Sequence, residues 1–83
     1  ETATPIALTR NELLILSCLM EQPGCPVSRE ELMRRLWQDE HYIDDNTLTV
    51  NITRLRKKLE EAGYANFIVT RKGLGYQVED HHG

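Results

Sequence analysis

The chain has 83 residues, of which 40% are hydrophobic and 28% are charged, and its formal net charge is −3. This size predicts a single domain over residues 1–83, and the composition is typical of soluble globular proteins. No apolar run approaches the roughly 18 residues that cross a bilayer, and the start of the chain lacks the pattern of a signal peptide. Because two cysteines do not make a disulfide framework, we expect a reduced, cytoplasmic protein. Because no long apolar run is present, we expect no membrane contact.

The charge is divided unevenly along the chain. Residues 1–45 contain 4 basic and 9 acidic residues, a net charge of −5, whereas residues 46–78 contain 6 basic and 2 acidic residues, a net charge of +4. The second part can therefore meet a polyanion although the whole chain is acidic.

Two helices are predicted in the first half. The sequence TRNE at 9–12 has the form of a capping box, and the apolar helix after it ends at the QPG of residues 22–24. A second capping box, SREE at 28–31, begins another helix. That helix ends where the acidic, non-periodic segment 38–45 begins, which we expect to be an exposed loop. A short strand is expected at 5–8.

A third helix is predicted over residues 46–62, capped by Asp44 or Asp45 and ended by Gly63. Its apolar side chains recur at helical spacing and predict the core face: Leu48, Ile52, Leu55, Leu59 and Ala62. The remaining surface carries Val50 and several threonines, which form helices less readily than Ala, Glu or Lys. Their presence indicates a use other than contact with solvent.

A hairpin is predicted at the end of the domain. Residues 67–70 and 75–78 have strand character, and the turn between them carries Arg71 and Lys72. Three helices followed by a hairpin are the plan of an α+β winged helix-turn-helix. The third helix is then the recognition helix and the hairpin the wing.

The third helix has the side chains that the DNA major groove favours. Arg grips guanine, Asn reads adenine, and Thr or Val methyl groups contact the thymine methyl. Four such residues share one face: Thr47, Val50, Asn51 and Arg54. Arg56, Lys57 and Lys58 lie further along and suit phosphates. A hairpin-tip lysine suits a narrow minor groove or its flanking phosphates.

Other interpretations are open at this point. The cations of the third helix could form a solvated face with i, i+4 pairs such as Arg56–Glu60, and Trp37 could be packing. The wing and third helix could bind an acidic protein partner instead of DNA. Catalysis needs converging groups, but Ser28 fits a helix cap and Cys18 a buried thiol, so no enzyme, metal site or cofactor is expected.

Four segments carry a family resemblance: LTRNELLIL, VSREELMRRLW, DDNTLTVNITRLRKKL and VTRKGLGYQV. Together, from Ile6 to Val78, they resemble the DNA-binding effector domain of OmpR/PhoB-family two-component response regulators. The sequence of these segments is similar to that of the subgroup typified by BceR and GraR. That subgroup switches on genes for export of, and resistance to, antimicrobial peptides.

The resemblance and the residue pattern together assign roles. Base reading falls to Thr47, Thr49, Val50, Asn51, Thr53 and Arg54. Backbone contact falls to Trp37, Arg56, Lys57, Lys58, Thr70 and Tyr76. The wing in or near the minor groove consists of Arg71, Lys72 and Gly73. The loop that matches the family's polymerase contact contains Asp39, Glu40, His41, Tyr42 and Asp44.

The resemblance also implies partners and departures. Expected partners are direct-repeat DNA bound as a tandem dimer, RNA polymerase, a receiver domain absent from this chain and, indirectly, a sensor histidine kinase. Many members have Arg, Asp, His and Arg where this chain has Asn46, Thr49, Asn51 and Thr53. We therefore expect a different operator sequence. Residues 5–8 can supply only the last strand of the family's N-terminal sheet.

Overall fold

The computed structural model describes residues 7–38 and 44–79. These residues form three helices and two strands in the order α1 (Arg10–Met20), α2 (Arg29–Trp37), α3 (Asp45–Glu61), β1 (Ile68–Arg71) and β2 (Gly75–Val78). The predicted winged-helix order is confirmed. Most of the predicted loop 38–45 lies outside the described residues. The predicted strand at 5–8 is partly outside them, and residues 7–8 are not in a strand.

Side-chain caps explain why the helices begin where they do. Thr9 forms the predicted capping box, in which its hydroxyl accepts from the Glu12 N–H at 3.2 Å and its own N–H donates to the Glu12 carboxylate at 2.9 Å. Ser28 accepts from the Glu31 N–H at 3.1 Å. Asp44, the first of the two predicted caps, accepts from the N–H of the third residue of α3 at 2.7 Å. All three starts are thus encoded locally.

The core lies where the three helices and the hairpin meet. Its aliphatic members have almost no exposed surface: Ile15, Leu19, Leu32, Leu36, Leu48, Ile52, Leu55, Leu59, Ile68 and Val78. The α3 stripe is confirmed at four of its five predicted positions, and Ala62, which follows the helix as its C-cap, is half-buried. None of the helices within 7–38 and 44–79 is long and apolar enough to cross a membrane.

The wing is attached to the helical part through the backbone. Strands β1 and β2 are antiparallel, with Thr70 opposite Tyr76. β2 also pairs with the link between α1 and α2, because Val27 N–H donates to Tyr76 O at 2.7 Å and Tyr76 N–H donates to Val27 O at 2.9 Å. Gly75 has φ +132°, and a Cβ there would lie 1.9 Å from Val27 O. A glycine is therefore required for the strand to approach the link.

Candidate nucleic-acid interface

Four of the predicted base-reading residues of α3 are exposed, and one of them, Thr49, is bonded within the protein as described below. Val50 is 39% exposed, and Thr53 and Arg54 are also exposed. Val50 is thus an apolar side chain that the described part of the chain leaves partly in solvent. Thr47 is half-buried at the first turn of the helix. Val50, Thr53 and Arg54 lie on the side of α3 opposite its buried stripe.

Asn51 lies elsewhere than predicted. It is only 9% exposed, and its Nδ2 donates to Thr47 O at 2.9 Å. The prediction that Asn51 points away from the core is wrong, because position 51 follows Leu48 by three residues and so falls at the edge of the buried stripe. The amide avoids an unpaired buried donor by bonding to the carbonyl one turn earlier.

Lys58, which is predicted to contact phosphate, is paired within the protein. Its Nζ lies 2.6 Å from Glu12 Oε1 and 2.8 Å from Ala7 O, so the cation faces α1. Burial raises the pKa of the Glu12 carboxyl, but the hydrogen bonds from Lys58 and the Thr9 backbone outweigh it and the net pKa is lowered. Lys58 therefore stabilises the α1–α3 packing and is not a free surface cation.

Arg56 joins the recognition helix to the wing. Its Nη1 donates to Thr70 Oγ1 at 3.0 Å, which brings together two residues that were both predicted to contact the DNA backbone. The Arg56–Glu60 pair of the solvated-face interpretation is thus replaced by a contact to the hairpin. Lys57 is exposed beside them.

Trp37 ends α2 with its ring in solvent. It is 57% exposed, so of the two packing interpretations, core and helix edge, the core one is wrong. Of the predicted polymerase-contact residues, Asp44 serves as the N-cap of α3, and those at 39–42 lie outside the described residues.

Arg29, at the first position of α2, was missed by the sequence reasoning. Its Nε donates to Asp45 Oδ1 at 2.9 Å, and its Nη2 donates to Asp45 O at 2.9 Å and to Thr49 Oγ1 at 2.8 Å. Its Nη1 donates to Tyr76 OH at 2.5 Å. The hydrogen bond with Asp45 raises the pKa of the guanidinium. No signal in the sequence was specific to Arg29, because α1 also begins with an arginine, Arg10, and the partners of Arg29 are 16 to 47 positions away.

These contacts engage two of the predicted DNA-contacting side chains within the protein. The Thr49 hydroxyl accepts from Arg29 and donates to Asp45 O at 3.2 Å, although the residue is exposed. Tyr76 is buried, and its hydroxyl accepts from Arg29. The guanidinium carbon of Arg29 also lies 5.8 Å from the centroid of the Tyr76 ring. Both side chains are held before any ligand arrives.

A groove of about 450 Å³ separates the start of α2 from the wing. The exposed tip residues Arg71, Lys72 and Gly73 form one wall, and Arg29 lies on the other. The groove is open, and three cations and one carboxylate, Glu30, line it beside apolar surface such as Leu74.

The thiols do not add a second site. Cys18 is buried and Cys25 exposed, and both are free. Burial raises the pKa of the Cys18 thiol, which keeps it protonated and unreactive. Within residues 7–38 and 44–79, no group of three or more His, Cys, Asp or Glu side chains is arranged to hold a metal ion.

An exposed helix face, a basic wing beside it and a hydrophobic three-helix core define a winged-helix DNA-binding domain. The chain belongs to the family described as "Transcriptional regulatory protein, C terminal", which matches residues 3–78. It is an OmpR/PhoB-type output domain of the response regulators of two-component systems, and this family is not one of enzymes.

Named relatives narrow the likeness. The chain is 54% identical over 75 residues to the sensory transduction protein BceR of Bacillus subtilis (strain 168), which covers 90% of this chain and 32% of BceR. It is 44% identical over 75 residues to the response regulator GraR of Staphylococcus aureus (strain MRSA252). That alignment covers 90% of this chain and 34% of GraR. The chain thus spans about a third of the length of these curated relatives.

Solved structures agree with the fold. The C-terminal domain of the nisin resistance regulator NsrR, a lantibiotic response regulator, superposes with a TM-score of 0.83 at 40% identity, covering 99% of this chain and 84% of that one. The DNA-binding domain of the response regulator AdeR, solved in complex with an intercistronic region, has a TM-score of 0.78 at 31% identity. That match covers 90% of this chain and 74% of AdeR's.

Proposed function

We propose that this domain binds a specific double-stranded DNA sequence with α3 in the major groove and the wing in or beside the minor groove. The observation that carries the proposal is the exposed Val50–Thr53–Arg54 surface on a helix whose other side is the core. A helix of this width fits the major groove, and the three side chains supply methyl groups, a hydroxyl and a guanidinium for base edges.

Arg54 is assigned to a guanine and Val50 to a thymine methyl in this proposal. Thr47, Thr49 and Thr53 supply further contacts at the start and middle of the helix. Asn51 joins the base contacts only if its amide leaves the Thr47 carbonyl, so we assign it a supporting role in holding the first turn.

The DNA backbone is assigned to residues around this face. Arg56 and Lys57 lie on the following turn of α3, Thr70 and Tyr76 on the wing, and Trp37 at the end of α2. Arg71 and Lys72 at the tip, with Gly73 in the turn, are assigned to the minor groove or its flanking phosphates.

The wider context is also a proposal. In the cytoplasm of a bacterium, a receiver domain addressed by a sensor histidine kinase would control tandem binding to direct repeats. The acidic segment 38–45 would contact RNA polymerase. The likeness to BceR, GraR and the lantibiotic response regulator supports genes of resistance to antimicrobial peptides as the target class.

The test is selection of bound duplexes from a random DNA pool, followed by affinity measurements at two salt concentrations. We expect a recurring motif whose affinity falls steeply as salt rises, because several phosphates are neutralised. Arg54→Ala should cost about 1–3 kcal/mol and relax the preference at one base pair, whereas Lys57→Ala should weaken all sequences alike. If a folded chain enriches no sequence, the domain binds a protein partner instead.

A further inference from the structure

Arg29 connects three elements of the domain through one planar group. It belongs to α2, its Nε and Nη2 donate to the first turns of α3 at Asp45 and Thr49, and its Nη1 donates to Tyr76 OH on β2. The guanidinium has five N–H donors in a fixed fork, so it can hold these directions at once, which an ammonium group cannot do.

The location of this contact matters for the wing. The backbone pairing with Val27 attaches β2 to the α1–α2 link, and Arg56 attaches β1 to a later turn of α3. Arg29 adds the connection between β2 and the N-terminal end of α3, where the base-reading face begins. The angle between helix and wing is therefore defined at both ends of the proposed interface.

The ion pair of Arg29 supplies little of the stability of the domain. A cation at the first position of a helix opposes the macrodipole. Its carboxylate partner, Asp45, is 74% exposed and Arg29 is 30% exposed, so their ion pair is weakened by solvent. Arg29 is half-buried, and its ion pair with an exposed carboxylate contributes little to folding. Its four hydrogen bonds to α3 and β2 instead fix where these two elements lie relative to α2.

We propose that Arg29 is a positioning residue that holds the wing in register with the recognition helix, so that both meet the same duplex together. This inference rests on the proposed DNA-binding function. It makes a specific claim about coupling: the wing contributes to affinity only while Arg29 bridges Thr49 and Tyr76. A residue that merely contacted a phosphate would contribute independently of the wing.

The experiment is a double-mutant cycle on the selected duplex with the wild type, Arg29→Lys, Lys72→Ala and the double variant. Arg29→Lys keeps the charge and removes the fork. We expect Lys72→Ala to weaken binding about 3- to 10-fold in the wild type and less than about 2-fold beside Arg29→Lys, because groups in one network do not act additively. Effects that multiply in the double variant would overturn the proposal.

Arg34→Lys is the matched control, since Arg34 is an exposed arginine of α2 whose ion pair is to Glu31 of the same helix. Urea midpoints of all variants establish that they are folded.

A second measurement needs no DNA. Amide hydrogen exchange over residues 68–78 should accelerate in Arg29→Lys and stay unchanged in Arg34→Lys, and unchanged exchange in both would also overturn the proposal. If the wild type selects no duplex, the proposed function fails, and the exchange measurement then decides only whether Arg29 holds the wing.

Discussion

Helix α3 is held on two sides by basic side chains, and the two sides differ in solvent exposure. On the α1 side, Lys58 pairs with Glu12, a carboxylate with no exposed surface. On the wing side, Arg29 pairs with Asp45, which is 74% exposed. Attraction between charges is stronger where water is excluded, but both charges must lose their water, so the clear difference is the cost of removing one partner. We therefore expect the loss of one partner to destabilise the domain more on the α1 side than on the wing side, where we propose that Arg29 holds geometry.

The largest effect is expected where strand β2 of the wing pairs with the link between α1 and α2. Gly75→Ala places a Cβ 1.9 Å from Val27 O at φ +132°, so β2 must leave the link. We expect a loss of about 3–4 kcal/mol in the free energy of unfolding, measured in urea, because strain and lost pairing combine. Gly73→Ala is the control for backbone strain, since Gly73 also has a positive φ, +78°, but its Cβ would meet nothing within 4 Å. We expect a smaller loss there, about 1 kcal/mol, from strain alone. Equal losses for both variants would mean that the contact with Val27 is unimportant.

The second effect separates the two lysines at the end of α3. Lys58→Met leaves the Glu12 carboxylate buried without its cation, and we expect a loss of about 2–3 kcal/mol in the free energy of unfolding. Lys57→Met should change that free energy by less than about 0.5 kcal/mol, as exposed substitutions do, but should lower DNA affinity. If Lys58→Met were stable but bound DNA weakly, Lys58 would be a phosphate contact, as the sequence predicts, and not a stabilising partner of Glu12.

Acid should weaken the α1 side gradually. Because the pKa of Glu12 is lowered in the folded domain, its contribution to stability is complete above the usual value of about 4.3 and is lost as the pH falls through the lower folded pKa. Glu12→Gln removes this contribution. We expect its free energy of unfolding to fall less steeply than that of the wild type between pH 5 and pH 3. Parallel curves would show that Glu12 does not titrate differently on folding.

The smallest expected effect lies on the wing side. Thr49→Val removes the hydroxyl between Arg29 and Asp45 without changing the shape of the side chain. Because the site is exposed, we expect a loss of less than about 1 kcal/mol in stability, measured by thermal unfolding. Affinity for the selected duplex should fall less than in Arg29→Lys, since the bond to Tyr76 remains. A larger stability loss would place this contact with the buried pair.

The two sides also differ in how far sequence could predict them. Caps and periodicity are local, so Thr9, Asp44 and the core stripe of α3 were predictable from neighbouring residues. The partners of Arg29 are 16 to 47 positions away, and the Lys58–Glu12 pair is separated by 46. Such pairs depend on how helices rotate against each other, which a polar residue at the edge of a stripe, such as Asn51, leaves ambiguous.

The exposure of Trp37 has an optical consequence. The chain has one tryptophan, and its ring is 57% exposed at the end of α2, close in sequence to the proposed recognition helix. Its emission in the folded domain should already resemble that of an indole in water, so unfolding should change the spectrum little. If Trp37 packs against the DNA backbone as proposed, its environment changes on binding, and we expect its fluorescence to report binding more than unfolding.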